Sequence, residues 1–94
     1  NRVAKGTQTV SVWKDARDLG RAAARIAVSL ADGTQMTGIQ DSELWTSPGG
    51  TEMNSVFLEP LPITKDNLSA VVDAQWITQE ALCQGVTDGP APCN

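Results

Sequence analysis

The chain has 94 residues, with 7 basic and 11 acidic side chains, a net charge of -4 and no histidine. That length allows one domain at most, and the acidic balance argues against nucleic acid or an anionic membrane surface as partner, since both select a basic face. No run of about 20 apolar residues is present to span a bilayer, and without histidine the usual general base, zinc ligand and pH switch are all missing.

Asn1 to Gly6 reads as the tail of a helix, with Lys5 in the last turn and Gly6 as its left-handed cap. A helix tail at the very start, an opening Asn in place of Met and no signal peptide together predict a processed chain whose natural beginning lies upstream. A strand is expected over Gln8–Trp13. In it Val10 and Val12 point one way and Thr9, Ser11 and Trp13 the other. Lys14 follows on the valine side, and Asp15 is a good N-cap for what comes next. A cation at a strand's carboxyl end beside a helix start stands where α/β proteins bind polar ligands. A solvated lysine at a strand exit fits the same position.

The next helix is expected over Ala16–Ala31. Leu19, Ala22, Ala23, Ile26, Ala27 and Leu30 form one apolar stripe at helical spacing. Its alanines predict close packing on a neighbour. Arg17, Arg21 and Arg25 form a basic row on another face, read as solvated. Asp32-Gly33 ends the helix. Residues 34–52 are expected as a long connection, with a strong turn signal at Ser47-Pro48-Gly49-Gly50. A small hairpin there is left open. Trp45 could stack on a sugar, but it is expected instead to cover core beneath the loop.

A second strand is expected over Asn54–Glu59. Its Val56-Phe57-Leu58 run has the pattern of a strand buried on both faces. Pro60-Leu61-Pro62 forms an extended crossing segment. Thr64 is expected to cap a helix over Lys65–Ala74, with Ile63 and Leu68 as a hydrophobic staple. The device recurs with Thr78 as cap and Ile77 and Leu82 as the pair, and Gln84-Gly85 stops this short helix.

The two cysteines, Cys83 and Cys93, are too few for a metal site and too far apart for a redox pair. A disulfide closing the tail loop is expected, and with it an oxidising compartment. The alternative is two free thiols. No cofactor site is recognisable. Asp41 with Glu43, and Asp15 with Lys14, read as solvated charges without a nucleophile–base pair, so no enzyme is expected.

Two blocks carry a family resemblance. One is Gly6-Thr7-Gln8-Thr9-Val10-Ser11-Val12-Trp13-Lys14-Asp15, followed by Leu19-Gly20-Arg21-Ala22-Ala23-Ala24. The other is Met53 to Leu68, with Val72-Asp73-Ala74 and Cys83-Gln84-Gly85-Val86 after it. They resemble the C-terminal part of bacterial ABC-transporter sugar-binding proteins, the type 1 periplasmic binding proteins, and within them the D-xylose-binding branch. The resemblance implies an α/β fragment of a two-lobed fold. In it residues 8–33 give a strand and the long helix of one lobe, and residues 53–94 give a crossing strand, helices and disulfide tail of the other. Segments near Val12–Asp15 and Leu58–Thr64 would cross between lobes.

The resemblance further implies that Lys14 hydrogen-bonds a xylose-like monosaccharide, and an ammonium's three donors suit sugar oxygens. Family members are much longer, and their other sugar ligands lie upstream, so this chain alone would lack a complete site. Two strands, one long and two short helices also cannot shield one another. The expected partners are therefore the remainder of the binding protein or a second copy of the chain, and an ABC permease or sensor downstream. The expected location is extracytoplasmic: periplasmic, secreted, or anchored through an upstream segment. The competing reading is a small, secreted, disulfide-stapled dimeric interaction module without sugar affinity.

Overall fold

The computed structural model describes residues 1–94. The chain folds as a small α/β domain with four helices and two antiparallel two-stranded sheets. In order these are α1 (Arg2–Lys5), β1 (Ser11–Trp13), α2 (Ala16–Ala31), a 3-10 turn (Met36–Gly38), β2 (Ser42–Thr46), β3 (Glu52–Val56), β4 (Leu61–Ile63), α3 (Ser69–Asp73) and α4 (Gln79–Cys83). No helix is long and apolar enough to cross a membrane. The chain divides into two compact units. Unit 1 is Asn1–Lys14 with Pro60–Asn94, and unit 2 is Asp15–Glu59.

Unit 1 contains the core. Val3, Ala4, Ile63, Leu68 and Leu82 are buried together, with Trp13, Val71, Ile77, Val86 and both cysteines packed on them. Both staple pairs expected from sequence contribute to this cluster. β1 pairs with β4 in the register Ser11↔Ile63, Val12↔Pro62 and Trp13↔Leu61. The expected strand over Gln8–Trp13 is shorter than predicted because its partner offers only three residues. Pro62 has no N–H to donate, and it is tolerated here because both strands of a two-stranded sheet are edges. The valine face of β1 stays open, with Val12 56% exposed, while Trp13 on the other face packs on the core.

The helix expected over Lys65–Ala74 begins only at Ser69. Thr64 N–H donates to Asn67 Oδ1 at 2.8 Å, and Asn67 Nδ2 donates to the Pro62 carbonyl at 2.9 Å. These local bonds hold residues 64–67 in turns, in competition with helix. Thr78 caps α4 as expected, its hydroxyl accepting from Ala81 N–H at 3.3 Å. The Cys83–Cys93 disulfide is formed and closes the tail. It pins Cys93 to the core cluster.

Three helices end in the same hydrogen-bonded motif. After α1, Gly6 N–H donates to Val3 O and Thr7 N–H to Arg2 O; after α2, Gly33 donates to Leu30 and Thr34 to Ser29; after α3, Gln75 donates to Val72 and Trp76 to Val71. This pattern needs a left-handed residue after the helix, a position that favours glycine. Gly6 and Gly33 supply it at φ 78° and 86°, whereas at the third end Gln75 takes φ 58°.

Unit 2 is built differently. Asp15 caps α2 as expected, accepting from Arg17 N–H at 2.9 Å. Residues 42–56 form the hairpin β2–β3, with Trp45 opposite Met53 and Leu44 opposite Asn54. The turn at Ser47–Thr51 is closed by Gly50 N–H donating to Ser47 O and Ser47 N–H to Thr51 O, both at 2.8 Å, with Gly50 at φ 83°. The hairpin left open by the sequence therefore exists, and the chain has four strands where two were expected.

Three burial expectations fail in this unit. The Val56-Phe57-Leu58 run is not buried on both faces: Phe57 is 55% exposed and Leu58 40%. β3 has only β2 beside it, and it ends at Val56, so Phe57 and Leu58 lie beyond the strand. The α2 stripe is not packed as a whole either. Only Ala22 of it is buried, while Leu19 is 63% and Leu30 47% exposed. Trp45 covers no core; it meets Phe57 edge-to-face, ring centres 5.7 Å apart.

Candidate functional site

Lys14 follows the last residue of β1 and is exposed. It borders an open cleft in unit 1, of about 690 Å³, a size common for small-ligand sites. Trp13 and Trp76 form much of the apolar wall, meeting edge-to-face with centroids 6.4 Å apart. Ile63, Leu68, Val71, Ile77 and Leu82 close the floor, so the cleft opens directly onto the core.

The polar side chains of the lining are Asn1, Ser11 and Lys14. The Asn1 amide nitrogen is already committed, donating to Leu82 O at 2.7 Å and Gln84 O at 2.9 Å. This leaves Lys14 as the one charged side chain of the lining, with Ser11 Oγ and Asn1 Oδ1 as neutral polar groups. No carboxylate or thiol lines the cleft, so it offers a metal ion none of its usual anionic donors. What the arrangement can do is stack an apolar face of a small molecule against indole and donate hydrogen bonds from one ammonium.

The other charged residues picked out in the sequence lie elsewhere. Asp15 and Arg17 pair at 3.1 Å and Arg21 and Asp18 at 2.7 Å. Arg25 stands 3.8 Å from Asp41. The hydrogen bond to Asp15 holds the Arg17 guanidinium pKa above its ordinary value. These pairs are solvent-accessible and contribute little each. The basic row is thus neutralised along its length. Cys83 and Cys93 serve the core beside the cleft and do not line it.

Sequence reasoning assigned no role to Trp76, Asn1 or Ser11 in a site. Trp76 lies in the link between two short helices, right after Gln75 with its positive φ, so no periodic pattern marks it. The signal that could have found it was a lone tryptophan one residue before the Ile77 staple position. No protein-family model matches the chain, and comparisons with curated proteins and with solved structures return no match either.

Proposed function

We propose that the chain is a sugar-binding segment of an extracytoplasmic solute-binding protein, taking a xylose-like monosaccharide and performing no chemistry. The observation that carries this reading is the cleft that joins Lys14 to two indole rings. Sugars present a C–H face that stacks on aromatics and a rim of oxygens that accepts from an ammonium. The resemblance of Gly6–Asp15 and Met53–Leu68 to the binding-protein family points to the same ligand. The boundaries between the two units, Lys14/Asp15 and Glu59/Pro60, also fall in the two segments which that resemblance assigns to crossings between lobes. The disulfide suits an oxidising compartment.

The site in this chain is incomplete under the proposal. Sugar sites use several converging polar groups and bury most of the ligand, whereas this cleft is open and mostly apolar. The remainder of a binding protein supplies the missing ligands and the second wall, and the loaded assembly delivers the sugar to a permease or a sensor. The test is native mass spectrometry of the purified material with and without D-xylose. The expected result is a larger polypeptide in the assembly and one added sugar mass, with Lys14→Ala weakening retention about tenfold or more, the loss of a charge-assisted hydrogen bond. Sugar retention unchanged in Lys14→Ala, or none in any assembly, rejects the reading.

A further inference from the structure

The cleft of unit 1 has a chemistry of its own, apart from any partner chain. Trp76 is 45% exposed and stands to Trp13 at an interplanar angle of 86°, so the two rings make a corner and not a stack. A flat ring set in that corner can meet one indole by its face and the other by its edge, the two contacts that aromatic groups prefer. The floor is aliphatic, built from Ile63, Leu68, Val71, Ile77 and Leu82. Corner and floor together seat an apolar body.

The polar groups of the lining are lopsided. A polyol brings a donor with every hydroxyl, and each donor needs an acceptor once it is buried. Among the side chains of the lining only Ser11 Oγ and Asn1 Oδ1 are acceptors, against the Lys14 ammonium with its three donors. Lys14 also lacks a carboxylate of its own. The ion pairs of the chain are Arg17 with Asp15, Arg21 with Asp18 and Arg25 with Asp41, all in unit 2. An unpaired cation bordering an aromatic, apolar cleft complements a ligand that is apolar at one end and anionic at the other.

We propose that this cleft, in the 94-residue chain itself, binds a small aromatic monocarboxylate. The ring sits in the Trp13–Trp76 corner, and the carboxylate, which only accepts, takes hydrogen bonds from Lys14. A dicarboxylate or a phosphate ester would bring more charge than one ammonium neutralises. An aromatic amine would set cation against cation. The proposal goes beyond the sugar reading and does not rest on it: that reading concerns an assembly in which other chain supplies further ligands, and this one concerns the chain alone.

The probe is phenylacetate, with phenylacetamide as its neutral counterpart of the same shape. Each is titrated into the whole chain and followed by the three indole N–H signals in NMR. Trp13 and Trp76 are expected to move, and Trp45, in unit 2, to stay. Phenylacetate should bind about tenfold tighter than the amide, the worth of a charge-assisted hydrogen bond, and added salt should shrink that preference. In Lys14→Met, which keeps an unbranched apolar stem without the charge, the two probes should bind alike. Trp76→Leu should weaken both about fivefold, through the lost ring contact. Equal affinity for the two probes in the parent chain overturns the proposal, and so does a preference for the acid that survives in Lys14→Met. So do Trp13 and Trp76 signals that ignore both probes, or that move on dilution alone, which would put a second copy in the cleft. Failure here leaves sugar retention by a larger assembly untouched, and failure there leaves this titration untouched, so the two readings fall separately.

Discussion

Leu68 and Leu44 are the same side chain in two different surroundings. Leu68 sits in unit 1, 1% exposed, under the staple that starts the turn toward α3; Leu44 sits in unit 2, 65% exposed, on a hairpin with nothing over it. The difference is one of layers. In unit 1 the short elements α1, β1, β4, α3 and α4 converge on one cluster, and a disulfide ties down the tail. In unit 2 a helix and a hairpin have regular local structure but share almost no buried apolar surface. Good local signals form elements, and only a second layer turns them into a core.

This contrast can be tested position by position. The largest effect is expected at Leu68→Ala, a loss of about 2–5 kcal/mol from lost burial and the cavity left behind. Leu44→Ala should change stability by no more than about 0.5 kcal/mol. Chemical denaturation of the two variants measures both; equal losses would show that the two units draw on one common core.

Next comes the disulfide. Opening the bridge between Cys83 and Cys93, which are separated by 10 positions in sequence, should cost about 2–3 kcal/mol by loop entropy. The three indole N–H signals in NMR report the two units separately, through Trp13 and Trp76 in unit 1 and Trp45 in unit 2. In Cys83→Ser/Cys93→Ser the first two should melt at lower denaturant while the third holds. A joint shift of all three would mean that the units unfold together.

The helix ends give smaller and opposite effects. Gly33→Ala should cost about 1 kcal/mol, because a side chain is strained at its left-handed φ. Gln75→Gly should stabilise by up to about 1 kcal/mol, since the same position after α3 is held by a residue that already carries that strain. Thermal denaturation of the pair checks the signs.

The smallest effect is electrostatic. The Glu80 carboxylate is held below its ordinary pKa by hydrogen bonds from its own backbone N–H and from Thr78 at the start of α4. A carboxyl whose folded pKa is depressed stabilises above its unfolded pKa, and loses that contribution as pH falls through the folded one. Melting temperature in Glu80→Gln should therefore lie below the parent at neutral pH, with the gap closing as the solution is acidified through the ordinary glutamate range. A gap that stays constant with pH would assign the effect to helix propensity instead.

Much of this was legible in the sequence because it is local. Asp15 and Thr78 cap their helices, Gly6 and Gly33 take left-handed caps, and Ala16–Ala31 is helical throughout, since each depends on neighbours within a turn or two. Ile63, Leu68 and Leu82 were readable as core from the staple pattern. The cleft was only half legible. Lys14 could be singled out from its place between strand and helix, but Trp76 and Asn1 reach the cleft from distant parts of the chain.

By itself, then, the sequence determined the ends of α1, α2 and α4, the tail disulfide and the residues able to build a core, because short-range hydrogen bonds and spacing suffice for these. Tertiary structure decided which apolar stretches are covered. The α2 stripe and Val56-Phe57-Leu58 carry the periodicity of buried elements, yet Leu19, Leu30, Phe57 and Leu58 lie exposed. Periodicity says that a face is apolar; burial needs a second surface at the right distance, and only long-range packing supplies one.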